Sequence, residues 1–466
     1  MPVDRTAVRD TAKYLRNVRP IDPAEIREYV EGRPDPRVVR RILREAALDL
    51  DLVEYPDGTF RPVAEGTIRP TFDGVTALPA EYGSVLEDLL VDRYGADWAT
   101  GESGEHLRET IRRFKADYYR QHDVEYDSDV ALGYAVYHLP VYYASAQYVL
   151  WDLARDGLLN HSLRVLDVGA GVGGPALGLN DLLAAENSDP VLVDYHAIEP
   201  SDAVDVLSPL LERTGRNFHC EIHEETAEAF EPTETYDLIL FSNVLSELDD
   251  PVAVAERYLD ALADDGTMVA IAPADRNTSL GLRSAERALE DGGATVYAPM
   301  VRLWPGESPT ADIWSFDERP AVEAPPFQQR LAAEADRPGE FVHTSVKFSY
   351  SFVRTDGRRR FDLEAGDRPV TKLATTEKHV TDRLDVLVAK LSRDLSDDGH
   401  PLFTVSDGSE REPHFAVVVN ETELNRPLQR AEYGDLLTME RVLVLWNDDE
   451  GAYNLVVDEE TVVDPA

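Results

Sequence analysis

Leu163-Arg164-Val165-Leu166-Asp167-Val168-Gly169-Ala170-Gly171-Val172-Gly173-Gly174 is the stretch whose reading decides the fold. Its first six residues, four of them apolar, read as a buried strand, and the glycines free the backbone for a tight turn. A helix through Leu177 and Leu182-Leu183 follows. Downstream, strand patterns at 191–198, 218–222, 236–243 and 267–273 alternate with helical patterns at 203–213 and 252–262. Such alternation predicts an α/β domain with a parallel, doubly wound sheet.

A glycine loop alone is weak evidence, because nicotinamide enzymes use one too. Context narrows the choice. Asp167 stands two residues before Gly169, where a nicotinamide enzyme would place a pyrophosphate that a carboxylate repels. S-adenosylmethionine carries no phosphate but has an ammonium and a sulfonium, which a carboxylate attracts. Glu199 closes the second strand, 30 residues after Gly169, where it can take both ribose hydroxyls of an adenosine. The predicted fold is therefore a class I S-adenosylmethionine-dependent methyltransferase, with Asp167, Gly169, Gly171, Gly173 and Glu199 lining the donor. Ser242 and Asn243, at the end of the fourth strand, would face donor and acceptor. A nicotinamide site, or an α/β core in which these residues only make turns, are the competing readings.

The acceptor end is not written in a motif. An Asn/Asp-Pro-Pro-aromatic tetrad is absent after the fourth strand, which instead continues Ser242-Asn243-Val244-Leu245-Ser246-Glu247-Leu248. Cys220, the chain's one cysteine, falls in the third strand and reads as a buried strand residue; no catalytic residue is assigned. No metal-ligand spacing is visible among the 11 histidines, so no metal is expected. Tyr134, Tyr137, Tyr142, Tyr143 and Tyr148 precede the domain at helical spacing, as core or as a lid over a ligand pocket.

A length of 466 residues suggests about three domains. The pattern divides it into a mainly helical region at 1–130, the methyltransferase domain at 131–300, an extension at 301–395 and a small β domain at 396–466. In the first, helical patterns near 23–30 and 36–47 precede Leu52-Val53-Glu54-Tyr55-Pro56-Asp57-Gly58-Thr59-Phe60, a strand–turn–strand signal. This unit resembles a winged helix, with Arg37, Arg40 and Arg41 on its second helix either as candidate contacts to RNA or protein or as the solvated face of a small packing domain. A further amphipathic helix is expected at 105–121. The tail alternates short strands with turns and reads as a small barrel or sandwich.

Acidic residues number 89 against 46 basic ones, a net charge of −43 spread along the whole chain. Lysine occurs only at positions 13, 115, 347, 372, 378 and 390, and the rest of the basic residues are arginine. A dispersed acidic coat poor in lysine fits a halophilic cytosol, where the Debye length is about 3 Å at 1 M and self-repulsion is screened. Counterion release is weak there for every protein, so the negative charge does not exclude RNA. With no apolar run of spanning length and no basic, apolar leader, a soluble, cytoplasmic protein without membrane contact is expected.

Three segments recur in one order: Asp167–Gly174, Ser242–Leu248 and Val346-Lys347-Phe348-Ser349-Tyr350. With the aromatic helix and the β-rich tail, they make residues 130–460 resemble the methyltransferase-like family associated with the small ribosomal subunit. The resemblance implies action on that subunit, with its rRNA and proteins as partners. It implies RNA contacts for Lys347, Tyr350, Arg358, Arg359 and Arg360, the other reading of the three arginines being a charged hairpin tip in solvent. Members commonly hold an iron–sulfur cluster on four cysteines before the Lys-Phe-Ser-Tyr strand. Residues 298–339 here contain none, with Met300, Trp304, Trp314 and Phe316 in that region, so no cluster is expected. A non-catalytic assembly factor keeping the fold, or a small-molecule methyltransferase, are the alternatives. The charge pattern yields a first prediction: the protein unfolds in dilute buffer and refolds in molar KCl, followed by circular dichroism. Full stability at low salt would remove the halophilic reading.

Overall fold

Acidic caps start each early helix: Asp4 accepts from Ala7 N before Arg5–Leu15, Asp22 from Ala24 N before Pro23–Ile26, and Asp35 from Arg37 N before Pro36–Glu45. The hairpin of β1 (Leu52–Glu54) and β2 (Phe60–Pro62) follows, turning at Asp57-Gly58. Val8, Ala12, Ile26, Val39, Leu43, Leu52 and Phe60 form one apolar core beneath them. The first helix is not evident in the sequence, because Val8, Ala12 and Leu15 are its only buried residues and its other positions are mostly polar. The computed structural model describes residues 3–119, 126–184, 189–361, 363 and 365–466. Two units emerge: Met1–Leu240 with Pro320–Thr344, and Phe241–Arg319 with Ser345–Ala466.

In the first unit the hairpin is anchored by a buried carboxylate. The Glu54 side chain is 1% exposed and receives Arg44, Arg40 at 3.6 Å and Arg216 at 3.3 Å. Asn217 fixes the same residue's backbone, accepting from Glu54 N at 2.8 Å and donating to Glu54 O at 3.1 Å. Helices Ala80–Tyr94, Gly101–Tyr119 and Ser128–Arg155 come next. The expected end of the second of these, at Gln121, lies outside the described residues.

The central sheet is built from β3 (Ser162–Val168), β4 (Leu192–Ile198), β5 (Phe218–His223), β6 (Tyr236–Ser242), β7 (Leu262–Pro273), β8 (Thr295–Ala298), β9 (Asp317–Arg319) and β10 (Val346–Arg354). Its order is β5-β4-β3-β6-β7-β10-β8, with β9 on β10. β3, β4 and β5 pair in parallel. In the second unit β10 runs antiparallel to β7, β8 and β9. Counted from β3, and leaving β9 aside, the order is 3-2-1-4-5-7-6. This departs from the 3-2-1-4-5-6 of dinucleotide folds by one inserted antiparallel strand.

The tail of the second unit is a barrel. β11 (Arg383–Lys390), β12 (Leu402–Ser406), β13 (His414–Val418), β14 (Leu436–Asn447) and β15 (Ala452–Val457) pair in the order β11-β12-β13-β15-β14, and β14 pairs back with β11. β16 (Val462–Pro465) lines the outer edge of β14. Alternation along the strands sends Val386, Val388, Phe403, Val405, Ala416, Met439 and Leu455 into one core.

Among the described residues no helix is long and apolar enough to cross a membrane. Replacing Glu54 with Ala strands three guanidiniums at the base of the hairpin. The expected loss is about 2 kcal/mol in urea unfolding, below the ~3–5 kcal/mol of a fully buried pair because each arginine keeps much of its hydration.

Candidate functional site

β3 delivers Asp167 to the sheet's carboxyl edge, and the chain then turns through three left-handed glycines: Gly169 at φ +72°, Gly171 at +54° and Gly173 at +86°. Side chains other than glycine adopt that region at a cost, so the motif glycines are dictated by backbone geometry. Gly169 N and Ala170 N both donate to Ile198 O at 2.9 Å, tying the loop to the end of β4. Helix Gly174–Leu183 begins at once, with Gly173 as its N-cap. The long helix Ser128–Arg155 presses on it so closely that a Cβ at Gly178 would lie 2.9 Å from Tyr143 O.

Two carboxylates frame this loop. Asp167 is 0% exposed; its Oδ2 accepts the Tyr195 hydroxyl at 2.6 Å, while its Oδ1 is buried with no partner. Burial pushes its carboxyl up to about 7; the Tyr195 bond opposes the shift and the charge of Glu199 adds to it. Glu199 Oε2 accepts from Gly171 N at 2.8 Å and Oε1 from Ser201 N at 3.0 Å, so it closes the loop against the turn after β4. Tyr195 and Ser201 were not singled out in the sequence. Tyr195 is a plain apolar-strand residue there, and Ser201 is one of many turn serines.

Residues 144–320 match a family model described as a methyltransferase domain. With the strand order above, the fold is that of a class I S-adenosylmethionine-dependent methyltransferase. Residues 5–56 and 374–466 match the N-terminal and C-terminal models of a domain of unknown function, DUF8157. No curated protein sequence matches this chain. Among solved structures, the glycopeptide N-methyltransferase MtfA complexed with sinefungin is 17% identical and is matched over 27% of this chain, with TM-score 0.23. The chain spans 49% of that protein's length. The plantazolicin methyltransferase BpumL in complex with SAH is 10% identical over 59% of this chain and 99% of its own, TM-score 0.29. The mitomycin 7-O-methyltransferase MmcR is 16% identical over 63% and 88%, TM-score 0.28.

The aromatic helix divides its residues between the two expected roles. Tyr143 and Tyr148 are buried as core. Tyr134, Tyr137, His138 and Tyr142 are half-buried on the loop side. A Cβ at Gly174 would sit 3.0 Å from Tyr142 Cβ, which fixes Tyr142 beside the glycine turn. His138 stacks on Tyr142 at 4.9 Å and meets His343 edge-on at 5.2 Å. Burial, with His343 and Lys115 nearby, holds the His138 imidazole well below its ordinary value, and burial brings His343 down to about 4. Ser128 at the helix start donates to Asp202 at 2.8 Å, just past Glu199.

Ser242 and Asn243 belong to β6 and its end; Asn243 takes φ +61°, and its N donates to Ile271 O at 2.8 Å. Arg37 pairs with Asp35, Arg41 with Glu45 and Arg40 with Glu54, so each candidate RNA arginine of the N-terminal helix faces a carboxylate of its own chain. Lys347 pairs with Glu318 at 3.3 Å. Tyr350 corrects the expectation of an RNA contact at that position. It is 0% exposed, because β10 is covered on that face, and it packs on Phe352 and Tyr433. Arg358 and Arg359 are exposed and Arg360 half-buried.

Cys220 is likewise corrected: it is exposed, because β5 is the edge strand of the sheet. The fold also brings His196 beside Glu221 and His223 of the neighbouring strand.

The raised Asp167 carboxyl makes a pH prediction. Its folded value lies above the ordinary 3.8, so it stabilises the fold below about 4 and loses that contribution as pH rises to about 7. Asp167→Asn should therefore gain stability relative to the parent across that window, by at most about 1.4 kcal/mol per pH unit. Urea midpoints at pH 5, 6 and 7 (about one unit apart, within the window) check it.

Proposed function

We propose that the protein binds S-adenosylmethionine at the glycine turn and catalyses methyl transfer. The observation that carries the reading is the orphaned Asp167 Oδ1, buried beside a left-handed turn of backbone amides. A buried carboxylate oxygen without a partner is costly, and a donor ammonium satisfies it. Glu199 accepts from Gly171 N on Oε2 and from both Ser201 N and Ser201 Oγ on Oε1, so an Oε2 lone pair is left for a ribose hydroxyl. When bound, the donor supplies an electrophilic methyl on sulfonium; the protein's task is to orient it and exclude water.

Tyr142 and His138 wall the side of the turn above the donor. His138 Nδ1 and His343 Nδ1 are buried without a protein partner, and both rings are held neutral, so either nitrogen can accept a hydrogen bond from a hydroxyl or amine acceptor. Calorimetry in molar KCl should show one donor site. Asp167→Asn and Glu199→Gln should each weaken it about tenfold, the size of one hydrogen bond to a charged group. Absence of donor binding in the folded parent would end this reading.

A second reading, from the family resemblance, takes small-subunit rRNA or proteins as acceptor or docking partner. It is supported by Arg358 and Arg359, exposed after β10 in an otherwise acidic chain. Co-sedimentation with small ribosomal subunits, lost in Arg358→Glu/Arg359→Glu, is the expected result. No sedimentation with subunits leaves a small-molecule acceptor.

A further inference from the structure

β4 and β5 lie side by side with His196 opposite Glu221 and Ile198 opposite His223. Strand alternation places Asp194 and His196 of β4 on one sheet face with Glu221 and His223 of β5. His196 Nδ1 lies 3.1 Å from His223 Nε2, and the two rings stack at 5.3 Å and 14°. On the other side of the ring, His196 Nε2 lies 3.3 Å from Asp194 Oδ1. Glu221 Oε1 is 4.0 Å from His223 Nδ1. Ligand atoms of His196, Glu221 and His223 fall within 4.8 Å of one another.

We propose that His196, His223 and Glu221 form a site for one divalent, zinc-type ion, with Asp194 as the positioning residue. Asp194 accepts the Nε2 proton of His196, which leaves Nδ1 as a lone pair aimed at His223. That is the carboxylate–histidine arrangement that orients metal-bound imidazoles. Bonds of about 2.0–2.1 Å to a tetrahedral ion put two ligand nitrogens about 3.3 Å apart, close to the observed separation. The ion replaces the proton shared by the two rings: His223 moves its proton from Nε2 to Nδ1, so none is released. Glu221 is 66% exposed and free to swing in, and water completes the shell. Two imidazoles and a carboxylate select zinc over calcium or magnesium.

The site would also act on the loop already described. Glu199 N donates to His223 O at 3.0 Å, so an ion clasping β5 to β4 steadies the turn that carries Glu199. The proposal stands whether or not the protein transfers methyl groups.

Cobalt(II) is the probe, added to the full chain in molar KCl and followed by visible absorption. A band saturating at one equivalent and displaced by zinc is expected. His196→Asn and His223→Asn should abolish it, with circular dichroism confirming the fold. Glu221→Gln, at an exposed position, and Asp194→Asn should each weaken binding by about tenfold or more. Cys220→Ser should leave the band unchanged. No saturable band, or a band that persists in both histidine variants or vanishes only with the cysteine, overturns the proposal and leaves the two rings as a hydrogen-bonded pair.

Discussion

The left-handed turn out of β3 is the constraint on which the first unit is organised. Three glycines at positive φ let the strand reverse into a helix within a few residues, and two of the loop's amides are held by Ile198 O. The third, Gly171 N, goes to a carboxylate on the neighbouring strand. Loop, strand end and Glu199 thus hold one another, and the helix that follows must approach Ser128–Arg155 closely enough to require a small residue at Gly178. A single backbone conformation therefore sets the position of the acidic groups and the aromatic wall together.

Buried carboxylates in this unit have two different fates. Glu54 is surrounded by Arg40, Arg44 and Arg216, with its backbone bonded to Asn217; its demand is met within the protein. Asp167 has one hydroxyl and one empty oxygen. The first arrangement serves packing, since arginines quench the charge. The second leaves an acceptor whose partner must come from elsewhere, which is why Asp167 and not Glu54 is read as a binding group.

The Lys347-Phe348-Ser349-Tyr350 segment has a structural explanation as the inserted antiparallel strand of the sheet. Ser349 Oγ bonds Ser279 Oγ at 2.9 Å and Ser315 O at 2.7 Å, and Arg283 donates to Tyr350 O. Between β8 and β9 apolar residues hold the chain. Met300, Leu303, Ile313 and Phe316 are buried, and the Trp304 indole donates to Asp407 at 2.7 Å. Packing and hydrogen bonds thus hold this segment.

By itself the sequence determined the order of strands and helices in the central domain, the glycine turn, Asp167 and Glu199. These depend on neighbours within a few residues: periodicity, apolar runs and backbone freedom are local. Tertiary structure alone decided which groups were satisfied. The sequence does not show that Arg40 would be spent on Glu54, that Tyr350 would be sealed in the core, or that Cys220 would lie on an edge strand. Nor does it join His196 to His223, or Tyr195 to Asp167. Each of those outcomes depends on which strand lies beside which. A carboxylate or an imidazole takes its role from the partner that the fold brings within about 3 Å, and that partner lies 28 residues away for Asp167 and 27 for His196.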